Sequence, residues 1–132
     1  MHVLRVFKTK TFSRWARKVL SDAALCTAAQ EIARGEYEAD LGGGVCKKRI
    51  AVAGQGKRGG TRTLVAKQHK DAMFFIAGRQ KSDPGTDFTD TEQAAAKIIA
   101  AGLQAASAHK LDELAADGII QEICNGKDEK QQ

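Results

Sequence analysis

VCKKRIAVAGQGKRGGTRTLVAKQHKDAMFFIAGRQ, residues 45–80, holds the segments that decide the fold. VCKKRIAVA (45–53), TRTLVAKQH (61–69) and AMFFIAGRQ (72–80) read as three strands, rich in Val, Ile, Thr and Phe. The last two are joined only by Lys70 and Asp71, the length of a hairpin turn. Consecutive strands with links this short pair as antiparallel neighbours. Ahead of them, LGGG (41–44) is a turn, and GQGKRGG (54–60) between the first two strands reads as a glycine-rich loop.

Outward from this block the chain reads as helices. HVLRVFK (2–8) is a short strand. Thr11 is placed to cap a helix over 12–20, with Phe12, Trp15, Ala16 and Val19 on its apolar face. Ser21 caps a second helix over 22–34, with Leu25, Ala28, Ala29 and Ile32 on one stripe and Gly35 closing it. Downstream, Pro84, the only proline, marks a break. Thr89 to Glu92 is a capping box opening a helix over 90–106, with Ile98, Ile99, Leu103 and Ala106 expected inward. Ser107 caps a further helix over 108–117, with Leu111, Leu114 and Ala115 inward and Gly118 at its end. Ile119, Ile120 and Ile123 form a short extended arm that packs back, and GKDEKQQ is a solvated tail. The expected fold is α+β: a small antiparallel sheet, two N-terminal helices packed on it and a helical C-terminal segment.

The bulk numbers bound the function. A chain of 132 residues forms one domain with one modest core. Apolar residues are 42% and aromatics 5%, so that core is mostly aliphatic. No apolar run approaches the roughly 20 residues that span a bilayer, and the N-terminus lacks a signal-peptide core, so the expected location is cytoplasmic with no membrane partner. Cys26, Cys46 and Cys124 are odd in number, widely spaced and without a CxxC. They are expected to be free thiols, with neither a disulfide nor a zinc site.

Charge is divided unevenly along the chain. Residues 1–82 hold 17 Lys/Arg against 6 Asp/Glu, net +11, while residues 83–132 hold 4 against 10, net −6. A basic body calls for an anionic partner, nucleic acid first and an anionic membrane second. The acidic segment 83–132 either covers the basic surface in cis or extends the core. Between 47 and 81 stand ten cations and one acid, Asp71. Lys47 and Arg49 share a strand face because side chains alternate. Arg62 lies across from them if the register allows, Lys81 ends the third strand, and Lys57 and Arg58 sit in the glycine-rich loop. Glycines let a backbone approach phosphate, and Lys and Arg neutralise it. The Walker A spacing and a strand-to-helix GxGxxG are both absent, which points away from a nucleotide pocket and toward a polynucleotide backbone. Such a surface suits metal-free RNA cleavage, in which the 2′-OH attacks the adjacent phosphate while cations stabilise the phosphorane. His69, near the hairpin end, and His109, in the acidic segment, are expected to stand away from this chemistry.

FKTKTFSRWARK (7–18), LGGGVCKKRIAVAGQGKRGGTRTLVA (41–66) and AMFFIAGRQKSD (72–83), in this order, resemble the RelE/ParE superfamily of bacterial toxins, nearest to its HigB-type, RelE-like branch. LDELAADGIIQEI (111–123) resembles the end of longer members. The resemblance implies a toxin core at 1–83, a helical extension of the same domain at 84–125 and a disordered tail at 126–132. It implies a metal-independent, cofactor-free mRNA interferase that cuts messenger RNA on the ribosome and inhibits translation. Its partners would be the ribosome, mRNA and a cognate antitoxin of helix-turn-helix type, with homo- or hetero-oligomers formed around that antitoxin. By the same resemblance Arg62, Lys47, Arg49 and Lys81 are the catalytic candidates and Lys57 and Arg58 the basic loop that binds RNA; Lys48 and Arg79, from the same cationic stretch, are further RNA-binding candidates. Ala77 stands where many relatives carry Tyr, and the one tyrosine here, Tyr37, lies elsewhere. Lysines then take over proton transfer, or the activity is weak or lost. The alternatives are a ParE-like toxin that inhibits DNA gyrase without cutting RNA, and a non-catalytic nucleic-acid-binding module.

Overall fold

Consecutive residues Phe74 and Phe75 are both fully buried, yet they face opposite ways. A strand that is apolar on both faces belongs in the middle of a sheet covered on both sides. The computed structural model, which describes residues 4–52, 56–85 and 87–125 (backbone alone at 56–59), has this layered arrangement. Its elements run β1 (Arg5–Thr9), α1 (Lys10–Ala16), α2 (Asp22–Ala33), β2 (Ala39–Gly42), β3 (Val45–Val52), β4 (Gly56–Ala66), β5 (Ala72–Gln80), α3 (Asp90–Gln104), α4 (Ala108–Ala116) and β6 (Ile120–Ile123). The strands form one sheet in the order β2-β3-β4-β5-β1-β6.

Helices α1 and α2 cover one face over Val6, Cys46, Ile50, Val65, Met73 and Phe75. Helices α3 and α4 cover the other over Phe7, Val45, Leu64, Phe74 and Ile76. Each of the paired phenylalanines stacks on a ring from its own side: Phe74 on Phe7 and Phe75 on Phe12, both at 5.4 Å between centroids. The class is α+β, and β3, β4 and β5 pair antiparallel as the short links require.

The sheet as a whole is mixed, which corrects the expectation of an antiparallel one. β1 pairs parallel with β5, from Arg5 opposite Ala72 to Lys8 opposite Phe75. The short-link rule governs only consecutive strands, and β1 is separated from β5 by most of the fold. Val6 and Phe7 are buried on opposite faces, so β1 needs an interior position. The expected C-terminal arm supplies it: β6 pairs antiparallel with β1 and becomes the edge. Arg5 fastens the arm through two hydrogen bonds to Glu122, both 2.9 Å, and one to Asp112 of α4 at 2.8 Å.

Helix starts follow their caps. Ser21, Thr89 and Ser107 each accept a backbone N–H three residues on, and Thr89 and Glu92 complete the capping box. The first helix begins earlier than expected, because Thr9 rather than Thr11 caps it. Ile98 and Ile99 are corrected outward, at 75% and 46% exposure. Ala96, Ala100 and Leu103 form the face of α3 that lies on the sheet.

The glycine-rich stretch is also different from a free loop. Residues 56–60 begin β4, while 53–55 lie outside the described residues. Ile50 pairs with Thr61 and Val52 with Gly56, so the β4 side carries extra residues through GKRGG. A Cβ at Gly60 would lie 2.4 Å from the Ile50 carbonyl oxygen. That glycine is required by the approach of β3, a constraint within the protein.

Cys26 of α2 and Cys124, just past β6, form a disulfide with Cα atoms 5.5 Å apart, which overturns the expectation of free thiols at these positions. Spacing concealed it: 98 residues separate the two, and only the return of β6 beside β1 brings them together. Cys46 is a free, buried thiol, and burial pushes its pKa up to about 12.

Two stability outcomes follow from this packing. Gly78 lies beneath the Trp15 ring, and an added Cβ would stand 2.1 Å from it. Gly78→Ala should lower the unfolding free energy by about 1–3 kcal/mol in urea denaturation. Cys26→Ser should cost about 2–5 kcal/mol in the same measurement under non-reducing conditions. An unchanged midpoint in either variant would contradict the packing described.

Candidate nucleic-acid interface

Antiparallel register decides which cations share a surface. Arg49 of β3 is opposite Arg62 of β4, and Arg62 is opposite Arg79 of β5. Directly opposed residues lie on one face, so the three arginines form a row across three strands. Lys47, two residues along β3, is opposite Leu64, which in turn is opposite Ala77. This is the face that α3 covers. Its far part, at Val45, Leu64, Ala66 and Phe74, is apolar beneath the helix, and its near part is cationic. Like charges set directly opposite one another are destabilising, so the pairing of Arg49 with Arg62 opposes stability.

The remaining cations divide. Lys81 is exposed in the turn after β5, beyond Arg79. The side chains of Lys57 and Arg58 lie outside the described residues. Lys48 is a correction: it points to the opposite face and is 2% exposed. Its ammonium pairs with Glu31 of α2 and donates to the Glu36 carbonyl oxygen, both at 2.8 Å. A lysine fully engaged beneath α2 is closed to RNA. Lys67, just past the end of β4, turns to Asp40 at 3.2 Å and lies over the Tyr37 ring. Tyr37 thus serves the α2-side core rather than the row.

Arg79 is also corrected, from ligand contact to architecture. It is 8% exposed, and its guanidinium donates to the backbone carbonyls of Asp83, Pro84, Gly85 and Asp87 at 2.7–3.0 Å. It gathers the turn after β5 around itself. That turn places Asp87, which sequence reasoning did not single out, in an ion pair with Lys47. The Asp87 carboxylate also accepts the Phe88 N–H at 2.8 Å, and Phe88 is buried under α3. Burial alone would raise the Asp87 pKa. The Lys47 hydrogen bond, the Phe88 N–H and the charges of Lys47 and Arg62 outweigh it and hold the carboxyl below its ordinary value. The two alternatives for the acidic segment thus both occur, as core extension through α3, α4 and β6 and as one carboxylate set on the basic surface.

His69 stands away from the row, as expected, and holds two backbone segments together. Its Nδ1 accepts the Asp71 N–H at 3.0 Å, which puts the proton on Nε2, and Nε2 donates to the Ala106 carbonyl at 2.9 Å. His109 is exposed beside Glu113. Among the described residues no group of three or more His, Cys, Asp or Glu side chains comes together to hold a metal ion. No helix among them is long and apolar enough to cross a membrane. A separate groove of about 510 Å³ runs between β5 and α3, lined by Ile76, Gly78, Ala95, Ile99, Leu103 and Ile119. It is apolar and offers no cluster of cations.

What the cationic row can do chemically is bind and stabilise anionic oxygens in a line across the sheet. The chain matches the family model described as RelE toxin of the RelE/RelB toxin–antitoxin system, over residues 4–123. Comparison with the curated proteins gave no match.

Two outcomes separate the faces. Lys48→Ala should lower stability by about 2–3 kcal/mol, short of the 3–5 of a fully buried pair because Glu31 reaches solvent. Arg49→Ala should leave the denaturation midpoint within the range of surface changes. The Lys47–Asp87 pair also has an acid limb. A depressed carboxyl stabilises the fold above the unfolded value of about 3.9, and that contribution is lost as pH falls through the lower folded value. Asp87→Asn should flatten the pH dependence of stability below about pH 4. An unaltered slope in a urea titration series would rule the pair out.

Proposed function

The chain belongs to the RelE toxin family of toxin–antitoxin systems, and from that premise we propose that it is a ribosome-dependent mRNA endoribonuclease of the HigB-type branch. The observation that supports this most is the register-fixed row of Arg49 and Arg62 on one sheet face, flanked by Lys47 and ending toward Lys81. Membership implies an antitoxin partner; in this reading it is of helix-turn-helix type.

In this reading the chemical step uses no metal or cofactor. The 2′-OH attacks the neighbouring phosphorus, the 5′-oxygen leaves, and a 2′,3′-cyclic phosphate forms. Negative charge builds on the non-bridging oxygens in the transition state. Arg62, flanked by Arg49, supplies hydrogen bonds to those oxygens, and the planar guanidinium meets two of them at once. Lys81 takes the proton of the 2′-OH and the Lys47 ammonium gives one to the leaving 5′-oxygen, since Ala77, in the position facing Leu64, brings no acid or base. Lys57 and Arg58 are assigned to RNA binding by the family resemblance alone. Arg79 and Lys48 have structural roles and touch no phosphate.

The test is induction of the protein in bacteria with mapping of mRNA 5′ ends. Wild type should arrest growth and produce codon-linked cuts. Arg62→Ala should cut about 10²–10³-fold more slowly and permit growth while remaining folded. A fully toxic Arg62→Ala variant would overturn the site. Growth arrest with DNA damage and intact mRNA would replace the reading with gyrase inhibition.

A further inference from the structure

The Asp87 carboxylate is displayed from a fixed frame. Arg79 holds its backbone carbonyl at 2.7 Å, together with those of Asp83, Pro84 and Gly85. On the other side the buried Phe88 ring anchors the next residue, and Thr89 then caps α3. Between these anchors one carboxylate oxygen accepts from Lys47 and the other from the Phe88 N–H. Lys47 and Arg62 are diagonal neighbours on β3 and β4, and the Arg62 charge also acts on Asp87. A carboxylate and a phosphodiester each present two oxygens sharing one negative charge. Both satisfy the same donors.

We propose that Asp87 is an internal counter-anion that occupies the position of one RNA phosphate beside Lys47 and Arg62, so that RNA binds by exchanging with it. The inference rests on the RNA-binding reading above. Its physical basis is ion exchange. In the free protein, Asp87 neutralises part of the cationic row and limits the cost of the arginines' mutual repulsion. When RNA arrives, a phosphate takes Lys47, and the carboxylate turns toward water. The contact moderates affinity for any polyanion, so weak, non-productive RNA binding is reduced and a well-positioned strand is favoured. A structural ion pair without this role would give the same gain in RNA affinity with and without Lys47 when its acid is neutralised.

The experiment measures binding of a short single-stranded RNA by fluorescence anisotropy over a series of salt concentrations, with the full chain. Asp87→Asn keeps the shape and the acceptor for the Phe88 N–H while removing the charge. It should bind about three- to tenfold more tightly, with a slope of log affinity against log salt steeper by about 0.7. The gain should vanish when Lys47→Met is also present. Arg49→Ala should weaken binding in either background. If Arg49→Ala weakens binding and Asp87→Asn does not strengthen it, the counter-anion is overturned while the RNA reading stands. If neither variant changes binding, the RNA reading fails and takes this inference with it. An equal gain with and without Lys47 would show a general charge effect and overturn the exchange. Asp87→Ser, which retains an oxygen for the Phe88 N–H, is read by the same outcomes if Asp87→Asn does not fold.

Discussion

The antiparallel register of β3, β4 and β5 is the constraint on which the rest depends. It puts Arg49, Arg62 and Arg79 opposite one another, and a slip of one residue in any of the three strands would send its arginine to the other face. Burial fixes that register. Val45, Leu64 and Phe74 must meet α3, while Cys46, Val65 and Phe75 must meet the α1–α2 side. On β3 and β4 the same alternation that buries the apolar residues also aligns Arg49 with Arg62. On β5 the register shifts by one residue between Leu64 and Val65, and that irregularity brings Arg79 to the face of Phe74.

The C-terminal segment completes this arrangement in two ways. It closes the second core through Phe88, Ala96, Ala100, Leu103, Leu111 and Ile120, and it protects β1 with the β6 edge. Arg5 and the Cys26–Cys124 disulfide tie that edge to the body from two sides. On its way from β5 to α3 the chain passes the cationic row, where Arg79 shapes its path and Asp87 meets Lys47. The Arg79 guanidinium is held by four carbonyl oxygens of that path.

Much of this was legible in the residues. The three strands, the Ser21 and Ser107 caps, the Thr89–Glu92 capping box and the shared face of Lys47, Arg49 and Arg62 follow from local rules of spacing and turn length. What escaped was non-local. The parallel place of β1 and the disulfide depend on where the chain ends meet after folding. Lys48 has the same type and nearly the same position as Lys47, and only the strand's period of two separates a surface cation from one buried on Glu31. Arg79 looks like any strand-end cation until the following turn is seen to wrap it. Asp87 gave a faint signal as an acid two residues before a helix cap, but nothing in its neighbours names Lys47. The outward turn of Ile98 and Ile99 shows the opposite limit, since a helical stripe defines faces without saying which one meets the sheet.

Chemical-shift mapping of the lysine and arginine side chains during titration with single-stranded RNA tests the central claim most directly. The account predicts changes at Lys47, Arg49 and Arg62, on one face, and at Lys81 in the turn after β5, with Lys48 and Lys67 unmoved. Changes centred on Lys48 and the α2 face, or spread evenly over both faces, would contradict it.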